Sequence, residues 1–285
     1  MDGGMGTLAL KQLAPNAPKS LWGSALLLQP GGFEANTALH ASYLRAGAEL
    51  IIANTHNASL TSFIRALGVD GHPLTALGQM AELNRAAVQS ARLAARRHAT
   101  FAKPRWVAAG VMGPDTPYGL APTMDAAQAK TRMQLQVDIL VRAGIDLLIF
   151  EMLNTEAEIE AAASLGAQSP VPWAAAFVPG QAGRSTWAGV PIQAAITAFG
   201  RPPDLFFVHC CAPSVVGTAL DQLPPGRRGA YPNRGGLGPV AFARAARSWS
   251  RRDLAVMGSC CDTGPEHTSA LARSRSPDPV EFVMG

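Results

Sequence analysis

The chain has 285 residues, of which 48% are hydrophobic and 15% charged, with a formal net charge of +4. This length suits one large α/β barrel or two small domains, and the composition predicts a folded, globular chain. The charge is small and scattered, which argues against a nucleic-acid groove, and no apolar run is long enough to cross a bilayer. We therefore expect small-molecule partners, and neither nucleic acid nor membrane.

The N-terminal stretch MDGGMGTLAL lacks the basic start and the long apolar core of a secretory signal. We therefore expect the chain to work in the cytoplasm, where disulfides seldom persist. The chain has four cysteines. In a reducing compartment such residues are more often metal ligands or catalytic thiols than disulfide bridges.

Short apolar runs alternate with amphipathic segments along the chain. Apolar runs occupy 49–54, 106–113, 146–151, 171–178, 205–210, 227–233 and 254–261. Continuous apolar runs are typical of parallel strands that are covered on both faces, and parallel strands need crossover helices between them. The predicted helices are 34–48, 76–99, 124–143, 155–166 and 238–250.

The first residues, MDGGMG, resemble the tail of one more strand. Eight strand–helix units predict a (β/α)8 TIM barrel, a single domain over residues 1–285 whose first strand is truncated at the N-terminus. Two Pro- and Gly-rich stretches, 13–32 and 179–191, are predicted to be loops over the barrel mouth. A doubly wound open sheet is the alternative, but no Gly-x-Gly-x-x-Gly turn follows a strand.

All four cysteines lie in two adjacent pairs at the ends of predicted strands. Cys210 and Cys211 end the sixth of the eight strands, and Cys260 and Cys261 end the last one. The two strand ends face the same level of a barrel, about 10 Å apart across one intervening strand. Inward side chains can close that gap around one metal ion, because tetrahedral zinc holds sulfurs about 3.8 Å apart.

Neighbouring residues on a strand point to opposite faces, so both cysteines of a pair reach one ion only if the backbone leaves the strand. Gly258 and the Thr263-Gly264-Pro265 turn permit this departure around the second pair, whereas no glycine adjoins the first pair. Only one cysteine of the first pair should therefore face inward.

We predict a zinc ion bound by three cysteines, with a fourth position left open as in catalytic sites. The predicted ligands are Cys210, Cys260 and Cys261, and Cys211 is predicted not to bind. Three alternatives remain open: buried cysteines that only fill space, a disulfide between the two strands, and a histidine ligand, His209 or His267, in place of one cysteine.

Several blocks of the chain, in the correct order from residue 2 to about residue 271, resemble the motifs of the homocysteine S-methyltransferase family. These blocks are DGGMGT (2–7), HASYLRAGAELIIANTHNAS (40–59), GVMGP (110–114), DLLIFE (146–151), HCCAP (209–213), YPNRGG (231–236) and GSCCDTGPEHTSAL (258–271). The resemblance implies a zinc-dependent enzyme that moves a methyl group from an activated donor to the thiol of homocysteine, giving methionine.

The resemblance also implies residue roles. The zinc ligands of the family fall on the three cysteines predicted above. The substrate amino group would be held by Asp2 and Glu151, with Gly3 beside them, and the donor pocket would include Trp22, His56 and Asn57. Asn57 stands where betaine-using members have a tyrosine, so S-methylmethionine or S-adenosylmethionine is the favoured donor.

Four positions depart from the family pattern: Ser259 and Asp262 replace glycines, Met152 replaces a threonine, and His56 replaces an aromatic residue. These departures raise an alternative, a catalytically impaired zinc-binding relative with a structural or regulatory role. Another is a subunit that receives the methyl group from a separate corrinoid or folate protein. The chain ends without the C-terminal extension that betaine-type members use for assembly, and this short form most resembles members that use S-methylmethionine or S-adenosylmethionine. As for assembly, we expect a monomer or a small homo-oligomer.

Overall fold

The computed structural model describes residues 1–13, 16–68, 73–113 and 124–274. Its centre is a curled sheet of seven parallel strands that pair in chain order. The strands are β1 (Leu50–Ala53), β2 (Trp106–Met112), β3 (Leu147–Leu153), β4 (Trp173–Phe177), β5 (Leu205–His209), β6 (Arg228–Tyr231) and β7 (Leu254–Met257). Each apolar run singled out in the sequence overlaps one of these strands, and β3 extends two residues beyond its run, so the strand predictions are confirmed.

Residues 1 and 2 close the gap between the first and the last strand of the sheet. The backbone N–H of Asp2 donates to the Leu50 carbonyl on β1 at 3.0 Å. On the other side, the Met1 nitrogen donates to the Met257 carbonyl on β7 at 2.8 Å, and the Ser259 N–H donates to the Asp2 carbonyl at 3.1 Å. These two residues therefore take the place of the eighth strand, and the prediction of a TIM barrel with a truncated first strand is confirmed.

Helices surround the sheet. They are α1 (Met5–Leu10), α2 (Gly32–Arg45), α3 (Leu60–Leu67), α4 (Pro73–His98), α5 (Ala126–Arg142), α6 (Glu156–Gly166), α7 (Ile192–Thr197), α8 (Pro213–Leu220), α9 (Pro239–Ser250) and α10 (Pro265–Ser274). The five helices predicted from amphipathic segments correspond to α2, α4, α5, α6 and α9. Within the described part of the chain, every helix is too short or too polar to span a lipid bilayer.

The loop predicted over residues 13–32 is largely wrong. A 3-10 helical segment, Lys19–Leu28, runs through it, and Leu21 and Ala25 are fully buried against α3 and α4. The glycines and prolines suggested a loop, but the apolar side chains need burial and find it beneath these helices. Residues 14 and 15 of this stretch, and Pro114 of the GVMGP block, lie outside the described residues. The loop predicted over 179–191 is confirmed. It contains isolated bridges, and its last residue directly precedes α7.

Side chains alternate between two separate cores, as the period of a strand requires. On β5, for example, Leu205 and Phe207 point into the barrel interior, while Phe206 and Val208 point to the helices outside. The interior layer also contains Ala108, Leu147, Ile149, Ala174, Ala176 and Tyr231. The barrel interior is therefore filled by side chains at the level of this layer, and sites in such barrels are built at the carboxyl edge of the strands.

Candidate active site

Three of the four cysteines meet at the carboxyl edge of the barrel. The Sγ atoms of Cys210 and Cys260 are 2.9 Å apart, and those of Cys260 and Cys261 are 3.9 Å apart. All are free thiols. Cys211 is buried instead in the core between sheet and helices. The structure thus brings together the three cysteines predicted as ligands and separates the fourth from them.

The backbone at Cys210 explains why this cysteine, and not Cys211, reaches the cluster. By the alternation along β5, His209 points inward and the next residue would point outward. Cys210 has a φ of +49°, in the left-handed region that side chains other than glycine rarely adopt. This turn places Cys210 beside Met112, Met152 and Val178, at the top of the barrel interior. Such strained residues cluster at functional sites.

A histidine competes with Cys261 for the role of third ligand. His209, Cys210 and Cys260 offer donor atoms that all lie within 4.8 Å of one another. However, the His209 Nε2 accepts the Met152 N–H at 2.9 Å, and its ring also hydrogen-bonds the backbone of Ala176. Both ring nitrogens are therefore engaged, and burial lowers its pKa to about 4, which keeps the ring neutral. We infer that His209 holds the β3 backbone rather than a metal.

Hydrogen bonds among the three thiols shift their pKa values in opposite directions. Hydrogen bonds from Cys210 and Cys260 lower the pKa of Cys261 to about 3. The bonds that Cys210 makes with Cys260 and Cys261, together with burial, raise its own pKa well above the usual range. Burial raises the pKa of the isolated Cys211 to about 12. These shifts favour Cys261 as the thiol of the cluster that ionises first when no cation is bound.

The donor set fits a zinc ion. Three sulfur ligands with one position left open make up a known type of catalytic zinc site. The 3.9 Å separation of Cys260 and Cys261 matches the edge of about 3.8 Å expected for tetrahedral thiolate zinc. The 2.9 Å separation of Cys210 and Cys260 is shorter than that edge, so these two sulfurs have to move apart when a metal binds.

Glu151, at the carboxyl end of β3, is buried below the mouth of the barrel. Its Oε2 accepts a hydrogen bond from the His56 Nδ1 at 2.7 Å, and its Oε1 accepts one from the Tyr231 hydroxyl at 3.2 Å. Gly110 on β2 lies directly against the carboxylate, where a side chain would collide with it. Burial alone would raise the pKa of Glu151, but the hydrogen bond and the charge of His56 outweigh it and lower that pKa.

Asp2, on the residues that replace the eighth strand, is the second buried carboxyl group. Its Oδ2 accepts the backbone N–H of Ile52 at 2.8 Å. Burial raises its pKa to about 7, and the nearby charge of Glu151 adds to this rise. Gly3 follows in a place where a side chain would strike Ser259, Thr263 and Tyr43. The carboxyl groups predicted to hold the substrate amino group are thus close enough to affect each other's charge.

Of the three residues predicted for a donor pocket, only His56 contacts the carboxylates. The Asn57 amide donates to the Ser20 carbonyl at 3.4 Å, which ties the β1–α3 loop to the 3-10 segment. Trp22 lies over Gly6, with 40% of its surface exposed. Among the described residues, Trp22, His56 and Asn57 thus contact different neighbours, and the donor pocket stays a prediction.

Two of the positions that depart from the family pattern have left-handed backbone conformations, and a third is buried. Asp262 takes a φ of +62° and Met152 a φ of +58°, both in the left-handed region. The Met152 turn coincides with a shift in the pairing of β3 with β4. Ser259 is buried, and its hydroxyl has no hydrogen-bond partner among the described residues. The loop of the second cysteine pair thus contains one left-handed residue, Asp262, and one buried hydroxyl without a described partner, that of Ser259.

Sequence reasoning assigned no role to Tyr231 and considered His209 only as a ligand. Both side chains point into the barrel and their rings stand 4.7 Å apart, one bonded to Glu151 and the other to the backbone beside it. Their position at the inward-facing ends of neighbouring strands was the available signal, because residues at such ends build barrel sites.

Comparison with known proteins agrees with this geometry. The sequence matches the family model for homocysteine S-methyltransferase over residues 1–274. Homocysteine S-methyltransferase 4 from Zea mays is 25% identical, over 96% of this chain and 88% of the relative. The homocysteine methyltransferase MmuM from Escherichia coli shares the fold: its metallated form has a TM-score of 0.82 at 24% identity, covering 96% of this chain and 95% of that chain. Its oxidized form has a TM-score of 0.80 at the same identity, with 96% and 94% covered.

Proposed function

Because this chain belongs to the homocysteine S-methyltransferase family, we propose that it methylates the thiol of homocysteine to give methionine, with S-methylmethionine or S-adenosylmethionine as donor and one bound zinc ion. The proposed ligands are Cys210, Cys260 and Cys261, in one domain over residues 1–285. The observation that carries this proposal is the gathering of three thiols at the carboxyl edge of the barrel, beside a buried carboxylate.

A bound zinc ion would lower the pKa of the substrate thiol. A free alkyl thiol has a pKa of about 8.5, so little of it is the nucleophilic thiolate at neutral pH. Zinc bound at the three cysteines would ionise the substrate thiol outright. Met112, Met152 and Val178 pack around the sulfur cluster and exclude water from one side of it. A dry surrounding favours transfer from a sulfonium donor, because charge is neutralised in that step.

The two buried carboxyl groups would orient the acceptor. An ammonium group favours ionised carboxylates, and Asp2 and Glu151 both lie at the carboxyl edge of the barrel. Asp2 has a pKa of about 7 without ligand, so a bound ammonium would draw it into the charged form. Anchoring the amino end fixes where the thiol end can reach, which is the proximity contribution to catalysis.

The remaining assignments are also proposals. Trp22 would offer an aromatic face to a sulfonium donor, and Asn57 would line the same side. We propose a monomer or a small homo-oligomer that works in the cytoplasm, where thiol ligands stay reduced. The alternative of a catalytically impaired relative is not favoured by the family match.

The test is a methionine assay with purified protein, homocysteine and each donor in turn, with and without a zinc chelator. We expect methionine from at least one sulfonium donor, loss of activity with the chelator, and recovery when zinc is added back. Activity that survives complete removal of metal would refute the zinc mechanism. Methionine formed only with a methyl-corrinoid or methyl-folate donor would instead support the partner-dependent alternative.

A further inference from the structure

Glu151 already has a cation-forming partner inside the protein. The Nδ1 of His56 lies 2.7 Å from its Oε2, a short contact for a charge-assisted hydrogen bond. Burial of the ring would lower the pKa of His56, but the hydrogen bond and the charge of Glu151 prevail and raise it. Both shifts favour the ionised forms, an imidazolium and a carboxylate, each of which stabilises the charge of the other.

Two other sides of the carboxylate are also occupied. Tyr231 holds Oε1 from β6, and the backbone of Gly110 lies against the carboxylate from β2. The side chain of His56 is 34% exposed, whereas that of Glu151 is 5% exposed. His56 therefore lies between Glu151 and the open mouth of the barrel, on the path by which a ligand would arrive.

We propose that His56 is a specificity-determining residue: its imidazole occupies the place at Glu151 where the ammonium group of the acceptor binds, so the ammonium has to displace it. This inference rests on the proposed function, in which Glu151 receives the amino group of homocysteine. An imidazolium and an ammonium cannot share one carboxylate edge without mutual repulsion.

Competition with His56 reduces the binding free energy that the enzyme gains from the amino group of the acceptor. Part of the attraction between Glu151 and the ammonium is offset by the loss of the pair with His56. An acceptor without an amino group leaves the pair of His56 and Glu151 intact, so its binding free energy is not reduced by this competition. The enzyme should therefore discriminate only weakly between homocysteine and 4-mercaptobutanoate, which is the same thiol without the amino group.

Two substitutions at this position should have opposite effects. His56→Phe removes the competing cation, and His56→Lys makes it permanent. We expect the Phe variant to bind homocysteine about three- to tenfold more tightly, and the Lys variant to bind it more weakly by a similar factor, as for one partly buried ion pair. The affinity for 4-mercaptobutanoate should change less than twofold in the Phe variant.

The measurements are Kd by calorimetry for both thiols on the zinc-loaded enzyme, and KM and kcat for methyl transfer. His98→Phe is the matched control, because His98 ends α4 and contacts only the Ala94 carbonyl in the hydrogen bonds described for it. That control should leave both Kd values unchanged. Calorimetry keeps this test independent of whether methyl transfer occurs.

The outcomes separate the hypotheses. Opposite shifts in the homocysteine Kd of the two variants support the inference. Weaker homocysteine binding in both variants would overturn it, since His56 would then only position Glu151. A change confined to the KM of the methyl donor would also overturn it. Wild-type protein that binds homocysteine but forms no methionine would refute the proposed reaction, while the Kd series would still decide the role of His56.

Discussion

The two cysteine pairs follow strands at the same edge of the barrel, yet they deliver different numbers of thiols to the site. From the first pair only Cys210 reaches the cluster, and Cys211 is buried in the outer core. From the second pair both Cys260 and Cys261 take part, with their sulfurs 3.9 Å apart. Two identical Cys-Cys dipeptides thus place different numbers of side chains in the site.

The difference comes from where each strand ends. β5 continues to His209, so the first pair begins directly at a strand end and is split by the turn at Cys210. β7 ends at Met257, and the second pair lies in a loop. The Cys260 N–H donates to the Pro232 carbonyl at 2.7 Å, which fixes this loop against the residues after β6. The position of a strand end, rather than adjacency in sequence, decides which side chains share a site.

The strongest test of this contrast is to remove one thiol from each pair. Cys260→Ala should abolish zinc binding and reduce methyl transfer by about a thousandfold or more, because a metal site contributes several kcal/mol to the transition state. Cys211→Ala should keep one zinc per chain and most of the activity. Elemental analysis and the methionine assay on both variants provide the measurement.

The Cys211 variant also has a stability readout. Losing a small buried side chain should lower the free energy of unfolding by about 1 kcal/mol. Equal loss of zinc in the two variants would contradict the assignment of ligands. A Cys211→Ser variant controls for volume, since it keeps the size of the side chain.

A second test uses the opposite pKa shifts of Cys261 and Cys211 in metal-free protein. Cys261, with a pKa lowered to about 3 by its neighbours, is ionised throughout the range from about pH 5 to 9. Its alkylation by iodoacetamide should therefore barely change with pH, whereas an ordinary thiol reacts about tenfold faster per pH unit below its pKa. Cys211, with a pKa of about 12, should stay unlabelled while the chain is folded.

Peptide mass spectrometry after timed labelling separates the four positions. Zinc added beforehand should protect the three cluster thiols. Labelling of Cys211 at a rate similar to that of Cys261 would show that the two pairs are equally accessible, and would contradict the contrast described here.

The smallest expected effect concerns the backbone of the second pair. Asp262 holds a φ of +62°, which glycine adopts at no cost. Asp262→Gly should stabilise the protein by about 0.5–1 kcal/mol, and raise its Tm by about 2 °C. Asp253→Gly is the matched control, because Asp253 has a φ of +56° before β7 and lies away from the cysteines in sequence.

Thermal unfolding and zinc affinity measured together distinguish relief of strain from a change at the metal site. Both variants should gain stability, and neither should change zinc affinity more than a few fold. A large loss of zinc affinity in the Asp262 variant alone would show that the aspartate supports the cluster.

The strands of the barrel could be predicted because each is a continuous apolar run between longer amphipathic segments. Short helices escaped prediction: α7 and α8 have 6 and 8 residues, too few to show a helical period. The 3-10 segment was mistaken for a loop because its burial depends on α3 and α4, which come later in the chain. Local composition does not contain that information.

Only part of the site could be predicted from the sequence. Residue types and strand ends indicate which cysteines and carboxylates can meet, and the ligand assignment stays a prediction. The pairing of His56 with Glu151 joins residues 95 positions apart, and no local pattern signals it. The left-handed turn at Cys210 is equally invisible, since cysteine has no preference for that conformation. Both depend on tertiary packing that overrides local tendencies.

Residues 1 and 2 both close the barrel and contribute a carboxyl group to the proposed site. Met1 hydrogen-bonds to β7, and Asp2, which hydrogen-bonds to β1, also presents its carboxyl group at the mouth of the barrel. A purification tag fused ahead of Met1 would begin inside the wall of the barrel, next to the proposed amine anchor.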